Sequence, residues 1–257
     1  MIDLHSHLLP GVDDGSRTVE QSAAVLARFA AEGVTAVALT PHLLASQAPQ
    51  GVPPAHDRAY EALRAAAPDG VRLLRGAEVM LDRPLEAVVA EQRAVTLNGT
   101  RYLLVEFPRL VTNQTVEHAL ALVVALGLVP VVAHPERYAA CRPAAVSRWR
   151  ALGGLMQVDG PTLLSPRPRG GRARELVAGG LADLVAGDNH GDTRSLRPAY
   201  EAVSEQAGPA VADLLFLHNP GAVVEDARPA PVPPFQWRQS FLDRLRGLFG
   251  DHPPERT

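Results

Sequence analysis

The chain opens with MIDLHSHLLPGVDDGS (residues 1–16), and the reading of this stretch decides the fold. One strand's worth of mainly apolar residues runs into two histidines one residue apart, His5 and His7, and then into a Gly-Val-Asp-Asp-Gly turn. On an extended strand, residues two apart share a face, so both imidazoles reach one point while Ser6 turns away. A strand ending in two convergent imidazoles reads as the first wall of a metal site.

Working outward, short apolar or β-branched runs alternate with longer Ala/Leu/Glu/Arg segments, the pattern of βα units around a parallel sheet or barrel. The spacing predicts strands near 1–5, 34–40, 71–78, 101–106, 129–134, 155–159 and 183–188, and helices over 54–67, 114–127, 143–152, 170–179 and 195–206. Between the first two strands, Thr18-Val19-Glu20-Gln21 predicts a helix start with threonine as N-cap and glutamine at the third position, closed by Gly33. The stretch RPAPVPPF at 228–235 has four prolines in eight residues and predicts a semi-extended linker. The expected division is therefore a main domain, 1–227, followed by a linker and tail, 228–257.

With 257 residues, 46% apolar and 21% charged, the chain can bury a full core as one large domain or two small ones, and one α/β domain is expected. A net charge of −3 with scattered arginines offers no basic footprint for nucleic acid. The amino terminus reads as a strand rather than a signal segment, and no apolar run approaches the roughly 20 residues of a membrane span, so a cytoplasmic protein is expected. The single cysteine, Cys141, excludes an internal disulfide framework and a cysteine zinc cluster. It also fails the C-x5-R spacing of a thiolate phosphatase loop, because Ser147 stands where the arginine belongs and Arg148 comes one position late.

The acids and histidines fall into a pattern. Nearly every predicted strand ends in a group able to bind a metal: His5 and His7, then His42 of TPH, Glu78 of GAE, Glu106 of VE, His134 with Arg137 in AHPERY, and Asp188 with His190 in GDNH. In parallel α/β architectures the carboxyl ends of the strands converge on one face. A carboxylate closing a buried apolar strand, as Glu78 and Glu106 do, is costly unless a cation or metal pairs with it. Imidazoles and carboxylates without sulfur suit manganese, zinc or iron. For any one histidine, a strand cap or core hydrogen bond is the ordinary reading; their joint occurrence at strand ends reverses it. Asp13 and Asp14 compete for one ligand position, with Asp14 preferred and the other left to hold the turn. Asp3 either orients an imidazole or ends a strand near solvent. His56 and His118 read as surface residues and His218 as a cap, while Arg194 and Arg197 either bind an acidic substrate or are simply solvated.

The elements DLHSHLLPGVDDG, TPH, GAEV, VEF, AHPERY and GDNH, in this order over about residues 1–200, resemble the PHP (polymerase and histidinol phosphatase) superfamily. Within it they are similar to the metal-dependent protein-tyrosine phosphatases encoded with bacterial capsule and exopolysaccharide genes. The resemblance implies an α/β fold, a distorted seven-stranded (β/α)7 barrel, with three divalent ions, manganese first and zinc or iron as alternatives. Residue by residue, it implies that His5, His7, Glu78 and Asp188 hold one ion. Glu78 would bridge to a second, held also by Glu106 and His134, and Asp14, His42 and His190 would hold the third. Arg137, Asp188 and His190 are the implied catalytic residues, Arg137 gripping phosphate. Leu43 stands where many relatives have a second histidine, and GDNH replaces a more usual SDAH; neither change removes a ligand.

The implied activity is hydrolysis of phosphotyrosine on a protein, an autophosphorylated bacterial tyrosine kinase, in control of surface polysaccharide. The alternatives are a small-molecule phosphatase such as histidinol-phosphatase, or a non-catalytic PHP module, which the full ligand set disfavours. Amidohydrolases also begin with His-x-His, but many bridge two metals with a carboxylated lysine, and all 25 basic residues here are arginine. The tail sets Phe241, Leu242, Leu245, Leu248 and Phe249 at near-helical spacing among Arg238, Arg244 and Arg246. It is expected to pack on the main domain or to touch a membrane surface or the membrane-bound kinase peripherally.

Overall fold

A computed structural model describes residues 1–238. Among these residues nine short strands pair, always in parallel: β1 (Ile2–Asp3), β2 (Ala36–Leu39), β3 (His42–Leu44), β4 (Arg72–Arg75), β5 (Glu78–Met80), β6 (Tyr102–Glu106), β7 (Val129–Ala133), β8 (Leu155–Asp159) and β9 (Leu184–Ala186). They form two sheets, β1-β2-β4 and β3-β5-β6-β7-β8-β9, so the ladders define a parallel α/β architecture rather than a closed seven-stranded barrel.

The difference from seven strands arises at two breaks. The run predicted at 34–40 ends as β2, and β3 follows it; the run predicted at 71–78 divides into β4 and β5. Pro41 has no N–H to give a ladder between β2 and β3. Gly76 sits opposite, where a Cβ would come within 3.1 Å of Leu97 and 3.3 Å of Thr40. Register is unchanged across the breaks, since Ala36 faces Arg72 in one sheet and His42 faces Glu78 in the other. At the far edge, an isolated parallel bridge joins Ser6 to Asn189, with the Asp188 N–H donating to the His5 carbonyl at 2.9 Å. The histidine end of the first strand is thereby laid beside the GDNH loop.

Helices cover the sheets much as the apolar periodicity predicts, at Val19–Ala31, Pro54–Ala66, Asn113–Ala125, Pro143–Ala151, Pro168–Ala178 and Arg197–Ala207. Thr18 caps the first, its hydroxyl accepting from the Gln21 N–H at 3.2 Å. Gln21 does not close a capping box on Thr18. Its side chain accepts from the Arg17 N–H at 2.9 Å and donates to the Gly191 carbonyl at 2.8 Å, tying the helix to the loop after β9. The short helices Ala87–Gln92, Pro209–Asp213 and Asn219–Val224 and the π-helical stretch Leu214–His218 are too brief to show a period and were not predicted.

The core lies between helices and sheets, where Leu103, Val105, Val132 and Val158 of the strands meet Trp149, Val116 and Leu120 of the helices, all buried. Burial of each such side chain contributes roughly 1.5–3 kcal/mol. Residues 228–235 take no regular structure, as the prolines require, but they are fastened down. Asn219 brackets Ala230 with two hydrogen bonds of 2.9 and 2.8 Å, and the Phe235 N–H donates to the Ala178 carbonyl at 2.8 Å. Of the tail residues named above, those from Phe241 to Phe249 lie outside the described residues. No helix among the described residues is long and apolar enough to cross a membrane.

Candidate metal centre

Parallel strands deliver their carboxyl ends to one face, and there the strand-end groups meet. His5 Nε2 and His7 Nε2 lie 3.2 Å apart. Glu78 Oε2 is 3.3 and 3.4 Å from them, and Asp188 Oδ1 is 3.5 and 3.3 Å away. His134 Nε2 meets the other Glu78 oxygen at 2.8 Å. On the open side, His42 Nδ1 lies 3.1 Å from Glu78 Oε2 and 3.3 Å from Glu106 Oε1. Asp14 Oδ1 lies 3.4 Å from His42 Nε2 and 3.5 Å from His190 Nε2. All nine residues singled out as ligands are thus in one constellation, in four overlapping groups: His5-His7-Asp188, His5-Glu78-His134, His42-Glu78-Glu106 and His7-Asp14-His42-His190. Glu78 is the hub, and Glu106 groups with His42 rather than with His134.

Backbone is bent to make this possible. His134 (φ 35°) and Asp188 (φ 46°) both adopt the left-handed conformation, which costs a non-glycine residue roughly 1–2 kcal/mol. Gly15 packs so closely on the first strand that a Cβ there would fall 2.0 Å from the His7 carbonyl oxygen; only glycine fits.

The rings are aimed from behind. His5 Nδ1 donates to Gln157 Oε1 at 2.8 Å, and His7 Nδ1 to Asp13 Oδ2 at 2.8 Å. In the neutral rings this leaves both Nε2 lone pairs facing one another and two carboxylate oxygens, an arrangement that is repulsive without a positive charge among them. Glu78 Oε2 and His134 Nδ1 are moreover buried with no hydrogen-bond partner. Buried imidazole and carboxylate donors converging on one point with their lone pairs unspent are the donor set of a divalent cation. Burial works against charging His5, but Glu78 and Asp188 outweigh it and raise its pKa, and His7 is raised further. His42 is likewise pushed up to about 10 against its burial by Glu106 and Glu78. Burial disfavours the charged forms of Glu78 and Asp188 too, yet the facing histidines hold both below the usual carboxylate range.

Arg137 reaches the centre from the loop after β7. One nitrogen, Nη2, donates to Asp159 Oδ2 at 2.7 Å and also to Asp188 Oδ2. Its Nε and Nη1 have no hydrogen-bond partner among the described residues. Arg194 also approaches, with Nη1 3.7 Å from Asp188 Oδ2, while Arg197 is spent on Glu201.

Three supporting residues, Gln157, Asp159 and Glu136, escaped the sequence reading. Gln157 and Asp159 close β8, the one strand to which no site group was assigned, with the same alternation as His5 and His7; that spacing was the available signal. Asp13, left by the sequence reading to hold the turn, accepts the Gly15 N–H at 3.0 Å and also orients His7. Glu136 is buried, its pKa pushed up to about 8 by desolvation and then by Asp159. Asp3 orients backbone rather than an imidazole, accepting the N–H groups of His5 and Gly187 at 3.2 and 2.9 Å. His118 and His218 are exposed and His56 is half-buried. Cys141 is buried, and desolvation pushes its thiol up to about 12, far from a reactive thiolate.

The chain is similar to several known proteins. Tyrosine-protein phosphatase CpsB of Streptococcus pneumoniae is 28% identical over 240 residues, an alignment covering 88% of this chain and 99% of the relative. Tyrosine-protein phosphatase YwqE of Bacillus subtilis is 28% identical over 188 residues, covering 72% and 67%. A chain from the crystal structures of YwqE and CpsB, described as unique metal-dependent tyrosine phosphatases, superposes with a TM-score of 0.78 at 23% identity, covering 93% of this chain and all of that one, a likeness of fold. The family profile for capsular polysaccharide synthesis, CpsB/CapC, matches residues 1–225, and the chain belongs to that family.

Proposed function

We propose that the protein is a metal-dependent phosphatase that hydrolyses phosphotyrosine on proteins, an autophosphorylated bacterial tyrosine kinase among them, in the control of capsule or exopolysaccharide synthesis. The observation that carries this reading is the single constellation of nine donor residues around Glu78, in a chain of the CpsB/CapC family. His5, His7, Asp14, His42, Glu78, Glu106, His134, Asp188 and His190 would hold three divalent ions, manganese before zinc or iron. When bound, such ions lower the pKa of water from 15.7 toward about 7 and neutralise charge on a phosphoryl group.

The chain's own residues supply the rest. Arg137 offers Nε and Nη1 as a fork for two phosphoryl oxygens, while Asp159 holds Nη2 and is itself held by Thr162 Oγ1 at 2.5 Å. On the β9 side of the centre, the His190 ring is oriented by Nδ1 donating to the Asp188 carbonyl at 3.0 Å. Departure of a phenolate, with a pKa of about 10, makes lighter demands than that of an alkoxide. We further read the two sheets as one distorted ring of seven strand paths; unchanged register across Pro41 and Gly76 and the Ser6–Asn189 bridge support this. Residues 1–227 form the catalytic domain in this reading and 228–257 an accessory segment, and the protein works in the cytoplasm, where its kinase substrate presents phosphotyrosine.

The test is turnover of a phosphotyrosine peptide beside histidinol phosphate by manganese-loaded protein. Preference for the peptide is expected, and preference for histidinol phosphate would replace this reading with the small-molecule one.

A further inference from the structure

The mouth of the site is uneven in charge. Between Phe107 and Gly170 the sequence has seven arginines and three acids. Of these acids Glu136 and Asp159 are buried, and Glu117 is paired with Arg148 at 2.7 Å. No carboxylate from this segment therefore faces solvent unpaired beside the centre. The loop after β6 and the segment between β8 and the helix Pro168–Ala178 flank the loop carrying Arg137; there Arg109, Arg167 and, in the first turn of that helix, Arg169 are exposed with no acidic partner among the described residues. Exposed arginines elsewhere are mixed: Arg64, Arg83 and Arg197 lie against a glutamate at 2.7 Å, while Arg17, Arg58 and Arg72 have no acidic partner among the described residues. The loops after β1 and β5 are mixed in charge: Asp14 and Asp82 are exposed beside Arg17 and Arg83, Asp13 is turned onto His7, and Glu86 is paired with Arg83 at 2.7 Å.

The arginine side is also rigid and partly apolar. The Val111 N–H donates to the Pro108 carbonyl at 2.9 Å and the Ala139 N–H to the Arg109 carbonyl at 2.8 Å, so Leu110 is held outward, 85% exposed, in a fastened turn. Across the Arg137 loop, Arg174 binds the carbonyls of Leu163 and Ser165 at 2.8 and 2.9 Å, and Leu164 stands 42% exposed before Arg167 and Arg169, which alternate with prolines. Single exposed leucines are ordinary. Two on neighbouring pinned loops, interleaved with cations that have no partner, form a surface of defined chemistry.

We infer that this arc reads the polypeptide on either side of the phosphorylated tyrosine and takes an acidic segment with an apolar side chain next to the phosphotyrosine. The inference rests on the phosphotyrosine reading above and adds the substrate's sequence character. Charge complementarity at such a rim acts through encounter and orientation. The exposed Arg109, Arg167 and Arg169 place the bound chain across the β6–β8 side.

The experiment uses full-length manganese-loaded protein and three substrates: a phosphotyrosine peptide flanked by glutamates and a leucine, the same peptide flanked by serines, and para-nitrophenyl phosphate, which is too small to reach the arc. The acidic peptide is expected to show a kcat/KM about tenfold higher, carried by KM, with the gap narrowing at high salt as exposed charges are screened. The triple variant R109E/R167E/R169E should abolish or invert the preference and leave para-nitrophenyl phosphate turnover unchanged. Should the triple variant fold poorly, R109E and R169E singly should each narrow the gap, and Leu110→Ser should raise KM only for the leucine-bearing peptide. Equal kcat/KM on the two peptides, or a preference that survives charge reversal and salt, overturns the inference while para-nitrophenyl phosphate turnover leaves the phosphatase reading standing. Absence of turnover on all three substrates defeats the phosphatase reading itself, and the inference with it.

Discussion

Two ionic clusters are buried at opposite ends of β8 and β9, and they differ in one respect. At the amino ends, Asp183 accepts from Arg150 Nη2 at 2.7 Å, Arg150 Nε at 3.2 Å and the Met156 N–H at 2.8 Å. Arg150 spends a further donor on the Gly180 carbonyl at 3.1 Å. Both carboxylate oxygens and the guanidinium are thus engaged, and the cluster is complete. At the carboxyl ends, Glu78 Oε2 and His134 Nδ1 have no partner and two imidazole nitrogens confront each other at 3.2 Å. Both clusters oppose the cost of burying charge, but only the second needs a cation from outside to do so. A satisfied ion pair staples the fold, whereas an unsatisfied one marks where function is supplied.

That contrast breaks most visibly at Glu78. Glu78→Gln removes the hub shared by two donor groups, so phosphotyrosine turnover is expected to fall by about 10³ or more, as with other disabled catalytic centres. Bound metal should fall with it, and at pH 7 the metal-free protein should melt lower than wild type, because the histidines that Glu78 raises lose a counter-charge. An unaltered metal content, measured by elemental analysis, would contradict the assignment.

Next in size is the dependence of metal binding on pH. His5 is raised above its ordinary pKa, His7 is raised well above it and His42 reaches about 10, so in the metal-free protein these rings hold protons to higher pH than free imidazoles do. A cation must displace those protons. Affinity should therefore rise with pH, about tenfold per unit for each proton released. Calorimetric titration with manganese in two buffers of different ionisation enthalpy reads this directly, and proton uptake in place of release would break it.

A smaller effect is expected at Asp159. Asp159→Asn leaves Arg137 without its charged anchor, so KM for a phosphotyrosine peptide should rise about tenfold with metal content intact, within the 10–100-fold range for residues that orient site groups. A fall in kcat with unchanged KM would assign Asp159 another task. The smallest effect on activity belongs to the complete cluster: Asp183→Asn should keep turnover within about twofold while lowering stability by about 1–3 kcal/mol, seen as a reduced Tm.

The main outline of this arrangement was legible in the sequence because it follows from topology. Once the strands are parallel, their carboxyl ends share a face, so a histidine or acid closing each apolar run had to meet the others. The helix periods gave their bounds to within a few residues for the same reason, each having a buried stripe such as Val25, Leu26 and Phe29. What escaped depended on single residues whose effect is tertiary. Pro41 and Gly76 split two strands without disturbing register, and a proline or glycine at the end of an apolar run looks the same whether a strand stops or continues. Gln157 carries no charge, and although it alternates with Asp159 as His5 does with His7, LMQVD gives no chemical cue that it partners His5 some 152 positions earlier. Asp13 and Asp14 are chemically identical, and only the turn geometry sends one behind His7 and the other toward His42 and His190. The prolines of 228–235 announced extended backbone correctly, but its fastening to Asn219 and Ala178 is a long-range event.

Metal content measured together with phosphotyrosine turnover tests the central claim most directly, on the same protein before chelation, after it and after manganese is restored. The two should vanish together and return together, and the chelated protein should remain folded around the complete Asp183–Arg150 cluster. Full turnover by protein stripped of metal would contradict the account.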